Sequence, residues 1–229
     1  MTPDAAAWDA LRLSLWVAFW ATLLAIPLAV WVAWLLARKD FWGKAVLNAA
    51  VHLPLVLPPV VTGYLLLLAF GRTAPLGQAL NALGIQLAFH WTGAVLAAMI
   101  MGFPLMVRAM RLAIEAVDPK LEDTAATLGA PRGMVFFRVT LPLILPGVLA
   151  GTVMGFAKAM GEFGATITFV ANIPGKTQTL PSAIWAALQI PGGERQAVMM
   201  VLMASTVAIA AVLLAELLAR RVAARIAGA

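Results

Sequence analysis

Lys158 and Glu162 are the two residues whose spacing is best suited to chemistry in an otherwise apolar sequence. They lie four residues apart in the segment FAKAMGEFGATITFV, so on a continuing helix they share one face and are able to pair. Gly161 and Gly164, on either side of Glu162, favour a tight turn there. The pair is either a structural ion pair that fixes a helix end or a functional site whose carboxylate moves. The sequence leaves both interpretations open.

The sequence offers neither a complete phosphate-binding loop nor a metal-binding motif. Gly175-Lys176-Thr177 looks like the end of a phosphate-binding loop, but that motif needs a glycine where the chain has Val170, and Pro181 disfavours the helix that should follow. Cysteine is absent, and His52 and His90 lie far apart without neighbouring acids, so we expect packed or interfacial histidines and no metal site. We predict no cofactor and no enzymatic activity, so any energy input must come from another protein.

The composition predicts that a lipid bilayer surrounds this chain. Of its 229 residues, 63% are hydrophobic and 11% are charged, whereas soluble domains carry about 25% charged residues. The mean hydropathy is +0.95. The net charge of +6 does not indicate nucleic-acid binding, because the basic residues lie in loops between apolar runs rather than on one face.

We predict an all-α, polytopic membrane protein that forms a single domain over residues 1–229. Each apolar run approaches or exceeds the ~20 residues that a transmembrane helix needs. The second run contains Pro54, Pro58 and Pro59, so its helix should kink or restart there, with that half facing the bundle interior. The five predicted spans are residues 11–37, 45–70, 92–112, 143–160 and 197–218.

Two segments between the spans lack the length or apolar character to cross the bilayer. Residues 71–91 are too short and too polar for a sixth crossing. Residues 161–196 are rich in glycine and proline, and we predict an external loop with a short helix near 182–189.

The distribution of basic residues predicts the orientation. If the polar segment 118–142 is cytoplasmic, eleven of the 16 lysines and arginines lie inside and four lie outside, in agreement with the positive-inside rule. The N-terminus is then outside and the C-terminus cytoplasmic. The inside residues are Arg38, Lys39, Lys44, Arg108, Arg111, Lys120, Arg132, Arg138, Arg220, Arg221 and Arg225, and the outside residues are Arg12, Arg72, Lys176 and Arg195.

In this topology the Lys158–Glu162 pair lies near the outer end of the fourth span. Ionisable groups at such a depth are candidates for a translocation pathway. A carboxylate is a poor direct ligand for an anion, so we predict a gate or hinge role for Lys158, Glu162 and Gly164. Thr166 and Thr168 offer neutral hydrogen-bond donors suited to a transiently held oxyanion.

A stripe of small residues runs down one face of the fourth span. Gly147, Gly151 and Gly155 recur every four residues, and Ala159 continues the series. Small residues at this spacing let another helix approach closely, so we predict a packing seam. The seam could face another helix of the same chain or a second copy.

The longest polar interruption lies between the third and fourth spans and has the marks of two short helices joined by a turn. Asp118 is an N-cap followed by Pro119 at the first helical position, and Glu122 favours the helix dipole. Gly129 should stop the first helix, and a second should begin over residues 134–139. Such a polar segment must lie on one membrane face, where a partner can bind it.

This segment resembles the cytoplasmic Glu-Ala-Ala loop of ABC importer permeases. That pattern is Glu-Ala-Ala, three residues, Gly, nine residues and Ile-x-Leu-Pro; here it is Asp123-Thr124-Ala125, Gly129 and Val139-Thr140-Leu141-Pro142, with both spacings intact. The substitutions preserve charge, small size and branched shape. In that family the loop docks into a groove of the ATPase subunit, so we call residues 118–142 the coupling loop. The resemblance implies ATPase coupling by Glu122, Asp123, Thr124, Ala125, Gly129, Val139, Leu141 and Pro142.

The resemblance extends over nearly the whole chain. The segments HLPLVLPPVVTGYLLL and GEFGATITFVANIPG look like those of oxyanion importer permeases, most closely the molybdate group; sulfate permeases share GEFG but are usually longer. It implies the type I ABC importer permease fold, an inner-membrane location and alternating access. The implied assembly is a homodimer with two ABC ATPase subunits and a periplasmic oxyanion-binding protein.

Two other functions fit an apolar helical chain. One is a stand-alone secondary anion carrier or channel, although we detect no inverted repeat and few intramembrane acids for proton coupling. The other is a scaffold subunit that does not transport.

Overall fold

The computed structural model describes residues 5–226, without the side chains at 215, 216, 218–220 and 222–226. The side chains of Arg220 and Arg225, and the two ends of the predicted domain, therefore lie outside the described residues. The helices are α1 (Ala5–Arg38), α2 (Lys44–Val56), α3 (Pro59–Phe70), α4 (Pro75–Ala82), α5 (Trp91–Glu115), α6 (Pro119–Thr127), α7 (Arg132–Val135), a π-helical segment (Phe136–Thr140), α8 (Leu141–Met160), α9 (Gly164–Val170), α10 (Leu180–Leu188) and α11 (Glu194–Ile226).

Within the described residues, four helices are long and apolar enough to cross a membrane. They are α1, α5, the continuous helix Arg132–Met160 and α11. The bent pair α2–α3 brings the number to five if it counts as one span. The all-α class and the prediction of about five transmembrane helices are confirmed.

The second span is broken where the prolines predicted a kink. Helices α2 and α3 meet at an angle of 115°. Pro58 is extended, with φ −53° and ψ 135°, and Pro59 starts α3; neither can donate a backbone hydrogen bond. The prediction that the proline-containing half lies in the bundle interior is wrong within a single chain, because Val51 is its one buried residue.

The centre of the bundle is formed by α1, α5 and α8. Alanines at Ala18, Ala21, Ala25, Ala29 and Ala33 make a buried stripe along α1. Small side chains let helices approach closely, and in lipid this packing stabilises the bundle in place of a hydrophobic driving force.

Residues 161–196 differ from the predicted external loop. The predicted short helix is present as α10, but α9 was not predicted, and its residues Ala165, Phe169 and Val170 are fully buried. Helix α9 packs against α3 and α5 in one cluster of buried apolar residues, and the Leu180 amide at the start of α10 donates to the Ser14 hydroxyl of α1 at 2.7 Å. The segment is therefore part of the bundle, because its apolar face is covered by neighbouring spans.

Candidate functional site: the coupling loop and the α8–α9 corner

The first helix of the coupling loop, α6, has the predicted ends. The Asp118 carboxylate accepts a hydrogen bond from the Lys120 amide at 3.0 Å, and Pro119 is at the first helical position. The helix stops at Gly129, whose φ of +86° is the left-handed conformation that glycine tolerates best. The described helix α6 has no buried residue, so it lies on the surface of the chain.

Exposed apolar side chains give the coupling loop a surface that sequence reasoning missed. Leu121 and Leu128 of the first helix are 49% and 84% exposed, and Met134 and Phe137 beyond the turn are 42% and 67% exposed. Their clustering on a polar loop could have been read as a sign of a protein partner, because exposed apolar patches commonly mark interfaces. Asp123 and Thr124 are exposed beside them, and Ala125 is half-buried.

The second helix of the coupling loop begins at Arg132, two residues before the predicted start at Met134. It does not end before the fourth span, because α7, the π-helical segment and α8 form one helix of 29 residues. Val139 and Leu141 are half-buried along it, and Pro142 is exposed. The second helix of the coupling loop and the fourth span are therefore one continuous helix.

Glu122 has a different environment from its neighbours in the coupling loop. Its carboxylate lies 3.2 Å from Arg38 Nε and accepts a hydrogen bond from the Thr140 hydroxyl at 2.8 Å. The side chain is 20% exposed. Glu122 thus contacts its own chain, unlike the exposed Asp123.

Glu162 forms the predicted pair and also a helix cap. Its Oε2 lies 3.1 Å from Lys158 Nζ, and its Oε1 accepts a hydrogen bond from the Ala165 amide at 2.9 Å. The Glu162 side chain is 1% exposed, whereas that of Lys158 is 30% exposed. One carboxylate therefore joins the end of α8 to the start of α9.

The two threonines of α9 do not present free donors in this conformation. The Thr166 hydroxyl donates to the Phe163 carbonyl at 2.8 Å, and the Thr168 hydroxyl donates to the Gly164 carbonyl at 2.9 Å. Gly164 packs tightly on α3, since a Cβ added there would lie 2.7 Å from Pro59 Cβ. The corner is thus a closely packed structure rather than an open anion cradle.

The glycine stripe of α8 faces α5 of the same chain. A Cβ added at Gly147 would lie 2.2 Å from Ala113 Cβ, and one at Gly155 would lie 2.5 Å from Met106 Sδ. A Cβ added at Gly151 would lie 3.1 Å from the Met106 carbonyl oxygen, which is closer than an ordinary van der Waals contact. The seam connects the helix that follows the coupling loop to the helix that precedes it.

Among the described residues, no group of three or more potential ligands could hold a metal ion. His90 caps α5, where its Nδ1 accepts a hydrogen bond from the Thr92 amide at 3.4 Å, and His52 Nδ1 lies 2.8 Å from the Asn48 carbonyl. Arg111 Nε pairs with Glu115 Oε1 at 2.7 Å, one helical turn away on α5.

A bundle of apolar spans with a helical loop on one face is the architecture of a polytopic α-helical membrane protein. Residues 25–227 match the family described as binding-protein-dependent transport system inner membrane component. This chain belongs to that family, so it is a multi-pass inner-membrane permease.

Individual relatives agree with the family match. The chain is 55% identical to the molybdenum transport system permease protein ModB of Escherichia coli (strain K12) over 93% of both chains. It is 53% identical to the ModB of Haemophilus influenzae over the same shares. A crystal structure of a bacterial alginate ABC transporter in complex with alginate pentasaccharide-bound periplasmic protein matches with a TM-score of 0.77 at 17% identity, over 96% of this chain and 80% of that chain. The predicted type I ABC importer permease fold is confirmed.

Proposed function

We propose that this chain is the permease subunit of an ATP-driven importer that moves molybdate, or a closely related oxyanion, across the inner membrane. The observation that carries the proposal is the coupling loop, which keeps both motif spacings and projects a surface helix from the bundle. The 55% identity to a molybdenum transport permease over 93% of both chains supports the choice of anion.

The exposed part of the coupling loop is the docking surface for a separate ATPase subunit. Asp123 and Thr124 are exposed, and Leu128 and Phe137 add apolar area at 84% and 67% exposure. A hydrophobic centre with a polar rim is the usual composition of a protein interface. Because the chain itself offers no nucleotide-binding motif, ATP is hydrolysed on the partner.

A single continuous helix connects the coupling loop to the membrane-spanning bundle. The helix of 29 residues from Arg132 to Met160 carries any displacement to the glycine seam with α5 and then to the α8–α9 corner. At that corner Glu162 joins α8 to α9, and α9 packs against α3. Alternating access then consists of these packed units moving together, and the corner acts as an outer gate or hinge.

The proposed assembly has two copies of this chain with the pathway between them, two ATPase subunits and a periplasmic binding protein. The positions of the basic residues support a cytoplasmic coupling loop. Arg38, at the last turn of α1, contacts the coupling loop directly. Arg12, near the first turn of α1, lines a pocket of about 400 Å³ together with Gly175. The N-terminus is then outside and the C-terminus cytoplasmic.

Reconstitution into proteoliposomes tests this function. With its ATPase and binding protein, the chain should accumulate radioactive molybdate when ATP is supplied, and excess tungstate or sulfate should show which oxyanions compete. The chain alone should neither hydrolyse ATP nor accumulate anion under an ion gradient. Accumulation by the chain alone would show a secondary carrier and overturn the proposal.

A further inference from the structure

Helix α6 is exposed along most of its length, and Glu122 is the residue through which its charged contacts reach two other elements. The Glu122 carboxylate contacts Arg38 at the end of α1 and Thr140 in the π-helical segment. These partners are 84 and 18 residues away in the sequence. The contact therefore joins three parts of the chain at the base of the coupling loop.

We call the contact between Arg38, Glu122 and Thr140 the bracket. Arg38 Nε lies 3.2 Å from Glu122 Oε2 as an ion pair without hydrogen-bond geometry, and Arg38 Nη2 donates a hydrogen bond to Glu122 Oε1 at 3.3 Å. The same guanidinium donates to the Val117 carbonyl at 2.9 Å, just before α6 begins. Hydrogen bonds between charged groups are stronger than neutral ones.

The three residues of this bracket are more buried than the surface of the coupling loop that is available to a partner. The Arg38 and Glu122 side chains are 14% and 20% exposed, and Thr140 is 1% exposed. Partly buried charges are screened less by salt than exposed ones. A carboxylate that is directed toward its own chain in this way is poorly placed to contact an ATPase, whereas the next residue, Asp123, is exposed.

We propose that Arg38 and Glu122 are positioning residues that transmit the movement of the coupling loop to α1, in addition to the direct route through α8. This inference rests on the proposed function. Without the bracket, α6 keeps its packing on α7 and on the π-helical segment, but its ion pair with α1 is lost. It can then move without moving α1, so ATP is hydrolysed with less transport.

The measurement is the number of anions imported per ATP hydrolysed by the reconstituted complex. Glu122→Gln keeps the shape of the side chain but removes its charge, and Arg38→Ala removes the other partner. Each should lower the ratio about tenfold, the scale of one charge-assisted hydrogen bond. Binding of the ATPase should stay within about twofold of wild type, because the docking surface is intact.

Asp40→Asn is the matched control. It removes the Asp40–Lys44 ion pair of 2.8 Å, which lies just after α1 and joins residues only four apart. The hydrogen bond and charge of Lys44 hold the pKa of the Asp40 carboxyl below its ordinary value. Its loss should leave the transport ratio unchanged, because it does not join separate elements.

The absence of cysteine from the chain permits a rescue experiment. In Arg38→Cys/Glu122→Cys, a short bifunctional thiol reagent should restore the ratio that the unlinked double variant has lost. A normal ratio in Glu122→Gln, or a linked variant that stays uncoupled, would overturn the bracket and leave the proposed function intact. If the wild-type chain fails to bind an ATPase, both proposals are wrong.

Discussion

Glu162 Oε2 lies 3.1 Å from Lys158 Nζ while Glu162 Oε1 accepts a hydrogen bond from the Ala165 amide at 2.9 Å. This geometry supports the structural interpretation of the pair. Lys158 compensates a buried charge, and the same carboxylate accepts a hydrogen bond from the first turn of α9. A change at this pair acts on the position of α9, which packs against α3.

The unequal burial of the two partners predicts unequal effects of removing them. Lys158→Met leaves a carboxylate that is 1% exposed without its counter-charge, whereas Glu162→Gln leaves an ammonium that is 30% exposed and reaches water. Removing one member of a buried pair costs about 3 kcal/mol, and losing one hydrogen bond to an accessible charge costs about 1 kcal/mol. Lys158→Met should therefore lower the midpoint of thermal unfolding in detergent more than Glu162→Gln.

The double variant Lys158→Met/Glu162→Gln provides the control, because it leaves no buried charge unpaired. Its unfolding midpoint should be close to that of Glu162→Gln alone. An additive loss in the double variant would show that the two side chains act independently and that the ion pair is not what stabilises the corner.

The contact between α3 and α9 predicts that an added methyl group is not tolerated at Gly63. A Cβ there would lie 2.5 Å from the Ala165 carbonyl oxygen, and backbone cannot move aside as a side chain does. Overpacking of this kind costs about 1–3 kcal/mol or more. Gly63→Ala should lower the unfolding midpoint and the yield of monodisperse protein. Gly133→Ala, where nothing lies within 4 Å, should behave as wild type.

Local signals allowed the coupling loop to be predicted from the sequence. Asp118 and Pro119 act on the first turn of α6, and Gly129 acts on its last turn, so each signal lies beside the feature that it determines. The number of spans followed from the lengths of the apolar runs for the same reason. The proline break of the second span was predicted, but not its angle of 115°, which depends on packing.

Features that depend on long-range packing were not predictable. Glu122 meets Arg38 from 84 residues away, which requires knowing how α1 and α6 approach each other. Helix α9 was missed because glycines and prolines surround it, and its short apolar run ATITFV is stabilised by burial under α3 and α5. That run of apolar residues directly after Gly164 was the available signal.

The glycine seam between α8 and α5 predicts that a substitution on one helix can be compensated by a substitution on the other. Gly147→Ala would place a Cβ 2.2 Å from Ala113 Cβ, so the single substitution should be destabilising by about 1–3 kcal/mol. Ala113→Gly opens the space that the new methyl group needs. The double variant Gly147→Ala/Ala113→Gly should recover most of the unfolding midpoint, measured by circular dichroism in detergent. A double variant no more stable than Gly147→Ala would mean that the seam is not formed by these two positions.

The left-handed turn at Gly129 predicts which substitutions are tolerated there. Their effect should depend on the backbone conformation that each residue can adopt, and not on the room for its side chain. Its φ is +86°, and nothing lies within 4 Å of an added Cβ, so any penalty arises from the backbone. Asparagine adopts this region more readily than other non-glycine residues, and a β-branched residue is a genuine outlier there. Anions imported per ATP should therefore fall little in Gly129→Asn, more in Gly129→Ala and most in Gly129→Val, with each variant still inserted in the membrane. Equal coupling in Gly129→Asn and Gly129→Val would show that the turn does not have to hold this conformation while the loop transmits force.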